Sequence, residues 1–129
     1  MFSFKRIKKK PKIGVSFRGG AARSLSYLGV LKYFEEISLP IYAAVGSSGG
    51  AAIASAYAAG KDIPWILNHG MQMSIRRLSS VNSLFHLHLF DTKKVFEHAW
   101  ETVGKETTFE DLKFKLAVQA TNLDTFKYP

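Results

Sequence analysis

The stretch AAVGSSGGAAIASAYAAG (residues 43–60) is apolar, then small and polar, then apolar again. Its first part belongs to the run IYAAVG (41–46), which predicts a buried strand. Its alanine-rich part (50–60) predicts a helix that ends at Gly60. Two serines between glycines therefore stand where a strand turns into a helix. Either this turn packs so closely against its neighbours that it needs small residues, or it exposes a serine side chain for chemistry.

The residues on either side predict the rest of an α/β unit. KIGVSF (12–17) predicts a strand that ends in the turn residues Arg18-Gly19-Gly20, and residues 22–38 have apolar side chains spaced by three, which predicts a helix that stops before Pro40. KLAVQATNL (115–123) predicts a third strand. The order strand, helix, strand, helix predicts parallel strands joined by right-handed crossovers.

Between the second helix and the third strand the pattern is less regular. For residues 63–90 we expect broken helices that cover a cleft, for 91–104 a helix that ends at Gly104, and for 107–112 a turn or a short helical start. The chain has 129 residues and no cysteine. That length predicts one domain, and the lack of cysteine excludes a disulfide framework, a thiol nucleophile and a cysteine-ligated metal site.

The positive charge is concentrated at the start of the chain. The net charge is +8, and six positive residues precede Ile13: Lys5, Arg6, Lys8, Lys9, Lys10 and Lys12. This basic leader (1–12) is either a solvated arm or a contact with an anionic membrane surface, and we expect no nucleic-acid partner. Neither a signal peptide nor a membrane span is predicted. We therefore expect a cytoplasmic protein, peripheral to a membrane if it contacts one.

The serine turn (46–50) matches the pattern G-x-S-x-G, with Ser48 in the centre and Gly46, Gly49 and Gly50 around it. In a sharp strand-to-helix turn the glycines remove Cβ atoms that would clash. The turn would lift the Ser48 hydroxyl above the carboxyl end of the strand, at the start of a helix whose dipole favours negative charge. The alternative is that the glycines only allow close packing of helix on sheet.

The segment FRGGAARS (17–24) is the second chemical feature. The backbone N–H groups of Gly19, Gly20 and Ala21 are expected to be free there and able to converge on one anion or oxyanion. Neither G-x-G-x-x-G nor G-x-x-x-x-G-K-[ST] is present, which argues against a nucleotide site. Because loops at the carboxyl ends of neighbouring parallel strands converge, this glycine loop (18–21) and the serine turn would supply amide donors and a hydroxyl to one crevice, as acyl transfer requires.

Together these residues resemble the patatin-like phospholipase family. That family pairs a strand ending in G-G-G-x-[RK]-G with a G-x-S-x-G about two dozen residues later. GGAARSLSYLGVLKYFEE and AAVGSSGGA match in order and spacing, and TTFEDLKFKLAVQATNL resembles a later strand of the family. The similarity extends over about residues 12–126. In this chain Ala21 stands at the third glycine and Ser24 at the glycine after the basic residue.

The resemblance implies a three-layer α/β/α hydrolase core with a parallel sheet, of which residues 13–129 would be the N-terminal portion, truncated at the C-terminus. It implies hydrolysis of lipid acyl esters by a Ser–Asp dyad, with no metal and no cofactor. Ser48 would be the nucleophile, the amides of Gly19, Gly20 and Ala21 the oxyanion hole, and Arg23 a support of that loop. The aspartate of the family lies in a D-G-[GA] motif, and no Asp-Gly occurs in this sequence.

Other interpretations of the same residues remain open. Asp91 and His98 could complete a triad with Ser48 in the chain order of hydrolases, and His86 and His88 could ligate a metal, although no third ligand is evident. A catalytically inactive fragment or pseudoenzyme would bind lipid or a protein partner through the same crevice. An α/β module that binds anions or nucleotides is a further alternative. A D-G-[GA] downstream distinguishes the hydrolase from the inactive fragment or pseudoenzyme, and a ligand-shift assay tests the anion- or nucleotide-binding module.

Overall fold

A parallel three-stranded sheet organises the protein. The computed structural model describes residues 12–72, 97 and 101–122. The strands are β1 (Ile13–Phe17), β2 (Ile41–Gly46) and β3 (Lys115–Val118), in the order β1-β2-β3 with both pairings parallel. The three strands predicted from the sequence are confirmed, and β2 has the predicted bounds. In this arrangement the carboxyl ends of all three strands lie at one edge of the sheet.

Helices fill the connections. A 3₁₀ helix, Ala21–Ser26, leads into α1 (Tyr27–Glu36), so the predicted helix 22–38 has a 3₁₀ first part. α2 (Gly49–Ala58) follows the serine turn directly, and α3 (Ile63–Gln72) begins where the Asp62 side chain accepts a hydrogen bond from the Trp65 N–H at 2.7 Å. Residues 101–103 are helical, and a short 3₁₀ helix, Phe109–Asp111, precedes β3. Most of the predicted segments 63–90 and 91–104 lies outside the described residues, which omit 73–96 and 98–100.

The core lies on one face of the sheet. Val15, Ala44 and Leu116 are register partners across the three strands, and all three pack in or against the buried cluster. α1 contributes Leu28 and Leu31 to that cluster, and each fully buried leucine stabilises the fold by about 1.5–3 kcal/mol. The helices described therefore form one layer over this face.

Small side chains bring α2 close to the sheet. Ala54, Ala56 and Ala58 are fully buried, and Ile53 is 5% exposed. A helix face of alanines allows its axis to approach the strands closely, and α2 makes its most extensive contacts with β2, the strand that precedes it. This close approach fixes where the first residue of α2, and hence the serine turn, stands relative to β1.

The opposite face of the sheet carries polar and exposed groups among the described residues. An irregularity in the register between Ile13 and Gly14 leaves Tyr42 on this face, where the ammonium groups of Lys12 and Lys115 lie 4.4 and 5.4 Å from the centre of its ring. The ammonium group of Lys115, followed by that of Lys12, lowers the pKa of Tyr42. Val45 is also exposed, so this face differs in character from the core face.

The expected fold class, α/β with a parallel sheet, is confirmed by this architecture. The described residues supply the sheet and one helical layer, and the second layer of the predicted three-layer core stays a prediction. No helix in the described ranges 12–72 and 101–122 is long and apolar enough to cross a membrane. The architecture brings the glycine loop and the serine turn to the same edge of the sheet, which is where the site must be sought.

Candidate active site

Ser48 occupies a strained turn between β2 and α2. Its backbone has φ 50° and ψ −128°, and it is one of three residues other than glycine with positive φ in the described part of the chain. Positive φ brings the Cβ of an ordinary residue close to its own backbone, and such conformations cost about 1–3 kcal/mol. Ser48 is exposed, and its carbonyl oxygen accepts the N–H of Ala52 at 3.2 Å in the first turn of α2. The backbone thus holds the side chain outward at the start of a helix.

The glycines of the serine turn stand where side chains have no room. A Cβ on Gly46 would lie 2.5 Å from the Cα of Ala51, and one on Gly50 would collide with the carbonyl oxygen of Phe17. A Cβ on Gly49 would lie 2.8 Å from the Oγ of Ser24. These contacts show that close packing requires glycine at all three positions, as the packing interpretation predicted. They also show that the same glycines press the serine turn against the end of β1.

Backbone hydrogen bonds join the serine turn to the ends of both neighbouring strands. The N–H of Ser47 donates to the carbonyl oxygen of Phe17 at 3.0 Å, and the N–H of Gln119 donates to the carbonyl oxygen of Gly46 at 2.9 Å. The serine turn is therefore held by residues at the ends of both neighbouring strands. Such support keeps a strained residue in place, because the surrounding bonds would break if its backbone relaxed.

The glycine loop faces the side chain of Ser48. A Cβ on Gly19 would lie 3.0 Å from the Cβ of Ser48 and 3.7 Å from its Oγ. The N–H groups of Gly19, Gly20 and Ala21 have no hydrogen-bond acceptor within residues 12–72 and 101–122. Free amides in a turn beside a hydroxyl, at the N-terminus of a ten-residue helix without an acidic residue in its first turn, form an electropositive environment. The structure thus brings Gly19 of the glycine loop next to the Ser48 side chain, and the convergence of all three amides on one oxyanion stays a prediction.

Arg23 contacts the loop through its backbone. Its N–H donates to the carbonyl oxygen of Gly20 at 3.0 Å, which closes the turn after the glycine loop, and its own carbonyl oxygen accepts the Ser26 hydroxyl at 2.8 Å. The Arg23 side chain is exposed. The resemblance implied that Arg23 supports this loop. The described contacts of Arg23 are main-chain hydrogen bonds, and the supporting role of the residue stays a prediction.

Two features of the site were not predicted. Ala21 has φ 47°, so the position at which the family pattern has its third glycine requires the left-handed conformation that glycine adopts most easily. Ser24 is 3% exposed and its hydroxyl is buried beside Gly49. In both cases this sequence has another residue where the family pattern has glycine, and that difference could have pointed to the feature.

The residues of the alternative triad and of the alternative metal site lie outside the described part of the chain. They are Asp91, His98, His86 and His88. His69 lies on α3, where its ring stacks on Trp65 with the centroids 3.6 Å apart. Within the described residues, no group of three or more His, Cys, Asp or Glu side chains is placed to hold a metal ion. The site described is therefore a serine and a set of backbone amides.

The fold and this site define an α/β protein with a strained serine turn at the carboxyl edge of a parallel sheet. The family model for patatin-like phospholipases matches residues 15–128, and the chain belongs to that family. The chain is also similar to the solved structure of the type III effector protein ExoU, with a TM-score of 0.47 and 23% sequence identity. That similarity covers 59% of this chain and 15% of the ExoU chain.

Proposed function

We propose that this chain carries the nucleophile and the oxyanion-binding loop of a lipid acyl hydrolase, with Ser48 as the nucleophile. The observation that supports this most strongly is the strained backbone of Ser48 together with the close approach of Gly19 to its side chain. A packing corner alone needs small residues, but it does not need a positive φ at a serine whose side chain is exposed. Membership of a phospholipase family gives the substrate class, an acyl ester of a lipid.

In the proposed reaction the Ser48 oxygen attacks the ester carbonyl carbon while a base takes the hydroxyl proton. The carbonyl oxygen becomes negative, and the free amides of the glycine loop (Gly19, Gly20, Ala21) donate hydrogen bonds to it. The C–O bond to the leaving alcohol then breaks, and that alcohol takes up the proton. Water hydrolyses the acyl-enzyme, which releases the fatty acid and restores the Ser48 hydroxyl.

The base that takes the Ser48 proton is proposed from the family resemblance alone. The resemblance implies an aspartate in an Asp-Gly pair, and each aspartate of this sequence, Asp62, Asp91, Asp111 and Asp124, is followed by a residue other than glycine. The contribution proposed for this chain is therefore Ser48 and the amide donors. A serine without a base keeps its ordinary high pKa and reacts slowly.

A fluorophosphonate probe tests the assignment. The full chain should gain a single adduct, which peptide mapping should place on Ser48, and Ser48→Ala should abolish it. Ser47→Ala is the matched control, because Ser47 is the neighbouring hydroxyl and should keep the labelling. An adduct that persists in the Ser48→Ala protein would overturn the assignment, and a chain that binds phospholipid vesicles without any adduct would favour the binding-only alternative.

We propose that the basic leader binds an anionic membrane surface. Lipid esters lie in a membrane or micelle surface, and positive residues near an anionic surface contribute about 1 kcal/mol each. The six leader charges, Lys5, Arg6, Lys8, Lys9, Lys10 and Lys12, would hold the chain at that surface. We propose a peripheral association of this kind at the cytoplasmic side.

A further inference from the structure

Among the described residues, the hydroxyl of Ser24 is buried and has no hydrogen-bond partner. The residue lies in the 3₁₀ helix that connects the glycine loop to α1, and it is 3% exposed. Its Oγ is completely buried and makes no hydrogen bond in the described part of the chain. A buried hydroxyl without a partner destabilises the fold, because it loses its bonds to water and gains none. Such a group in a native structure calls for an explanation.

The position of this hydroxyl links it to both halves of the site. Ser24 Oγ lies 2.8 Å from the point that a Cβ on Gly49 would occupy and 3.6 Å from the corresponding point on Gly20. It therefore stands between the glycine loop and the residue that follows Ser48. The N–H of Gly49 likewise has no acceptor among residues 12–72 and 101–122. Within the described residues, two polar groups without partners therefore lie on the two sides of the contact between the loop and the turn.

The backbone couples Ser24 to the glycine loop. The N–H of Arg23, the residue before Ser24, donates to the carbonyl oxygen of Gly20 at 3.0 Å, which ties the start of the 3₁₀ helix to the loop. Negative charge that develops beside Ser48 would attract amide groups of the loop toward it. Because Ser24 Oγ already lies next to Gly49, a small approach of the loop to the serine turn would bring the hydroxyl against the Gly49 backbone.

We propose that Ser24 is a positioning residue whose hydroxyl gains a hydrogen bond to the backbone of Gly49 when the glycine loop closes on the oxyanion. This inference rests on the proposed function of Ser48. The family pattern has a glycine at this position, so the positioning role proposed for Ser24 is a feature of this chain and not of the pattern. A hydrogen bond that forms only with the developing charge accelerates the chemical step and leaves the binding of the neutral ester unchanged.

The test compares Ser24→Ala and Ser24→Gly with the parent chain, using the fluorophosphonate probe over a range of concentrations. Both variants lack the hydroxyl, and we expect the first-order rate of Ser48 modification to fall about tenfold in each, while the probe concentration for half-maximal rate stays unchanged. The unfolding temperature of Ser24→Ala should equal or exceed that of the parent, because a buried hydroxyl without a partner has been removed. Ser55→Ala, a serine of α2 away from the site, is the control and should keep the parent rate.

The outcomes separate the two proposals. A parent chain that is modified at Ser48, with unchanged rates in both Ser24 variants, overturns the role of Ser24 and leaves the function of Ser48 intact. A rate loss that only follows the unfolded fraction at the assay temperature also overturns it, since a purely structural residue would give that result. A parent chain without modification at Ser48 overturns the proposed function and this inference with it.

Discussion

The Cα of Gly19 approaches the side chain of Ser48 so closely that a Cβ on Gly19 would lie 3.0 Å from the Cβ of the serine. The same added atom would lie 3.3 Å from the carbonyl oxygen of Ser47. Contacts of this length are shorter than van der Waals separation, so the two loops fit only because residue 19 lacks a side chain. The glycine loop and the serine turn are thus a matched pair, and a change in one must displace the other.

Gly19→Ala should therefore separate the loop from Ser48. The added methyl group forces a shift of a few tenths of an ångström, and we expect the rate of Ser48 modification by a fluorophosphonate to fall at least tenfold. Urea unfolding should show a loss of about 1–3 kcal/mol from overpacking. Gly29→Ala is the matched control, because residue 29 lies on α1 and, outside its own helix, no described residue has an atom within 4 Å of its Cβ position. That variant should gain about 0.5–1 kcal/mol and keep the parent rate. Equal modification rates in the two variants would contradict the close fit.

Ala21→Gly should relieve strain without loss of reactivity. Ala21 has φ 47°, a conformation that costs a residue with a Cβ about 1–2 kcal/mol. Glycine removes that cost but has more freedom in the unfolded chain, so we expect a net gain of about 0.5–1 kcal/mol in urea unfolding. The amide of residue 21 remains, and the rate of Ser48 modification should stay within about twofold of the parent.

Ser38→Gly provides the comparison for that variant. Ser38 also has positive φ, 52°, but it follows α1 at the opposite end of the sheet from the site. Both glycine variants should be stabilised, and neither should react differently with the probe. A marked loss of reactivity in Ala21→Gly alone would mean that the methyl group of Ala21 orients the loop.

The sequence predicted the elements of this fold better than the details of its turns. β2 was predicted at its observed bounds, because Pro40 and Gly46 mark both ends of a short apolar run. β3 was predicted to extend to residue 123 and ends at Val118. The physical reason lies in its partner: β2 ends at Gly46, and the N–H of Gln119 makes the last bond to it. Periodicity within a strand carries no information about where its neighbour stops.

The candidate site was predicted by pattern, whereas the positive φ of Ala21 and the burial of Ser24 were not. G-x-S-x-G between a strand and a helix pointed to Ser48, and the two adjacent glycines pointed to the loop, because both patterns follow from local backbone geometry. The positive φ of Ala21 and the burial of Ser24 depend on contacts between segments about 25 residues apart in sequence, such as Ser24 with Gly49. Those contacts arise only when β1 and β2 pair in parallel, so a single-sequence pattern does not contain them.

Tyr57 should ionise at an unusually high pH. Partial burial, together with the hydrogen bond from its hydroxyl to the Glu35 carboxylate at 3.0 Å, raises the pKa of Tyr57 to about 12. A pKa raised in the folded state means that this tyrosine stabilises the fold below its unfolded pKa, near 10, and that the contribution is lost as the pH rises through about 12. In a spectrophotometric titration, Tyr57→Phe should remove a tyrosine whose pKa is about 12.

Glu35→Gln is the companion variant for this titration. It keeps the size of the side chain and removes the negative charge, so the pKa of Tyr57 should fall toward that of an ordinary tyrosine while burial still holds it above 10. Tyr42→Phe should instead remove a tyrosine that titrates early, since Lys115 and Lys12 lower the pKa of Tyr42. Identical titration curves for the parent and Tyr57→Phe above pH 10 would contradict the assignment.

Replacing Lys8, Lys9 and Lys10 by Gln should weaken binding to anionic vesicles. Each positive charge near such a surface is worth about 1 kcal/mol, so the loss of three should reduce the partition coefficient by roughly two orders of magnitude in cosedimentation with vesicles that contain phosphatidylserine. The control replaces Lys32, Lys61 and Lys113, which lie within the described residues 12–72 and 101–122, and lowers the net charge by the same amount. If attraction were due to net charge alone, both triple variants would lose binding equally. Stronger loss in the leader variant, which added salt should diminish, would locate the membrane contact in the leader.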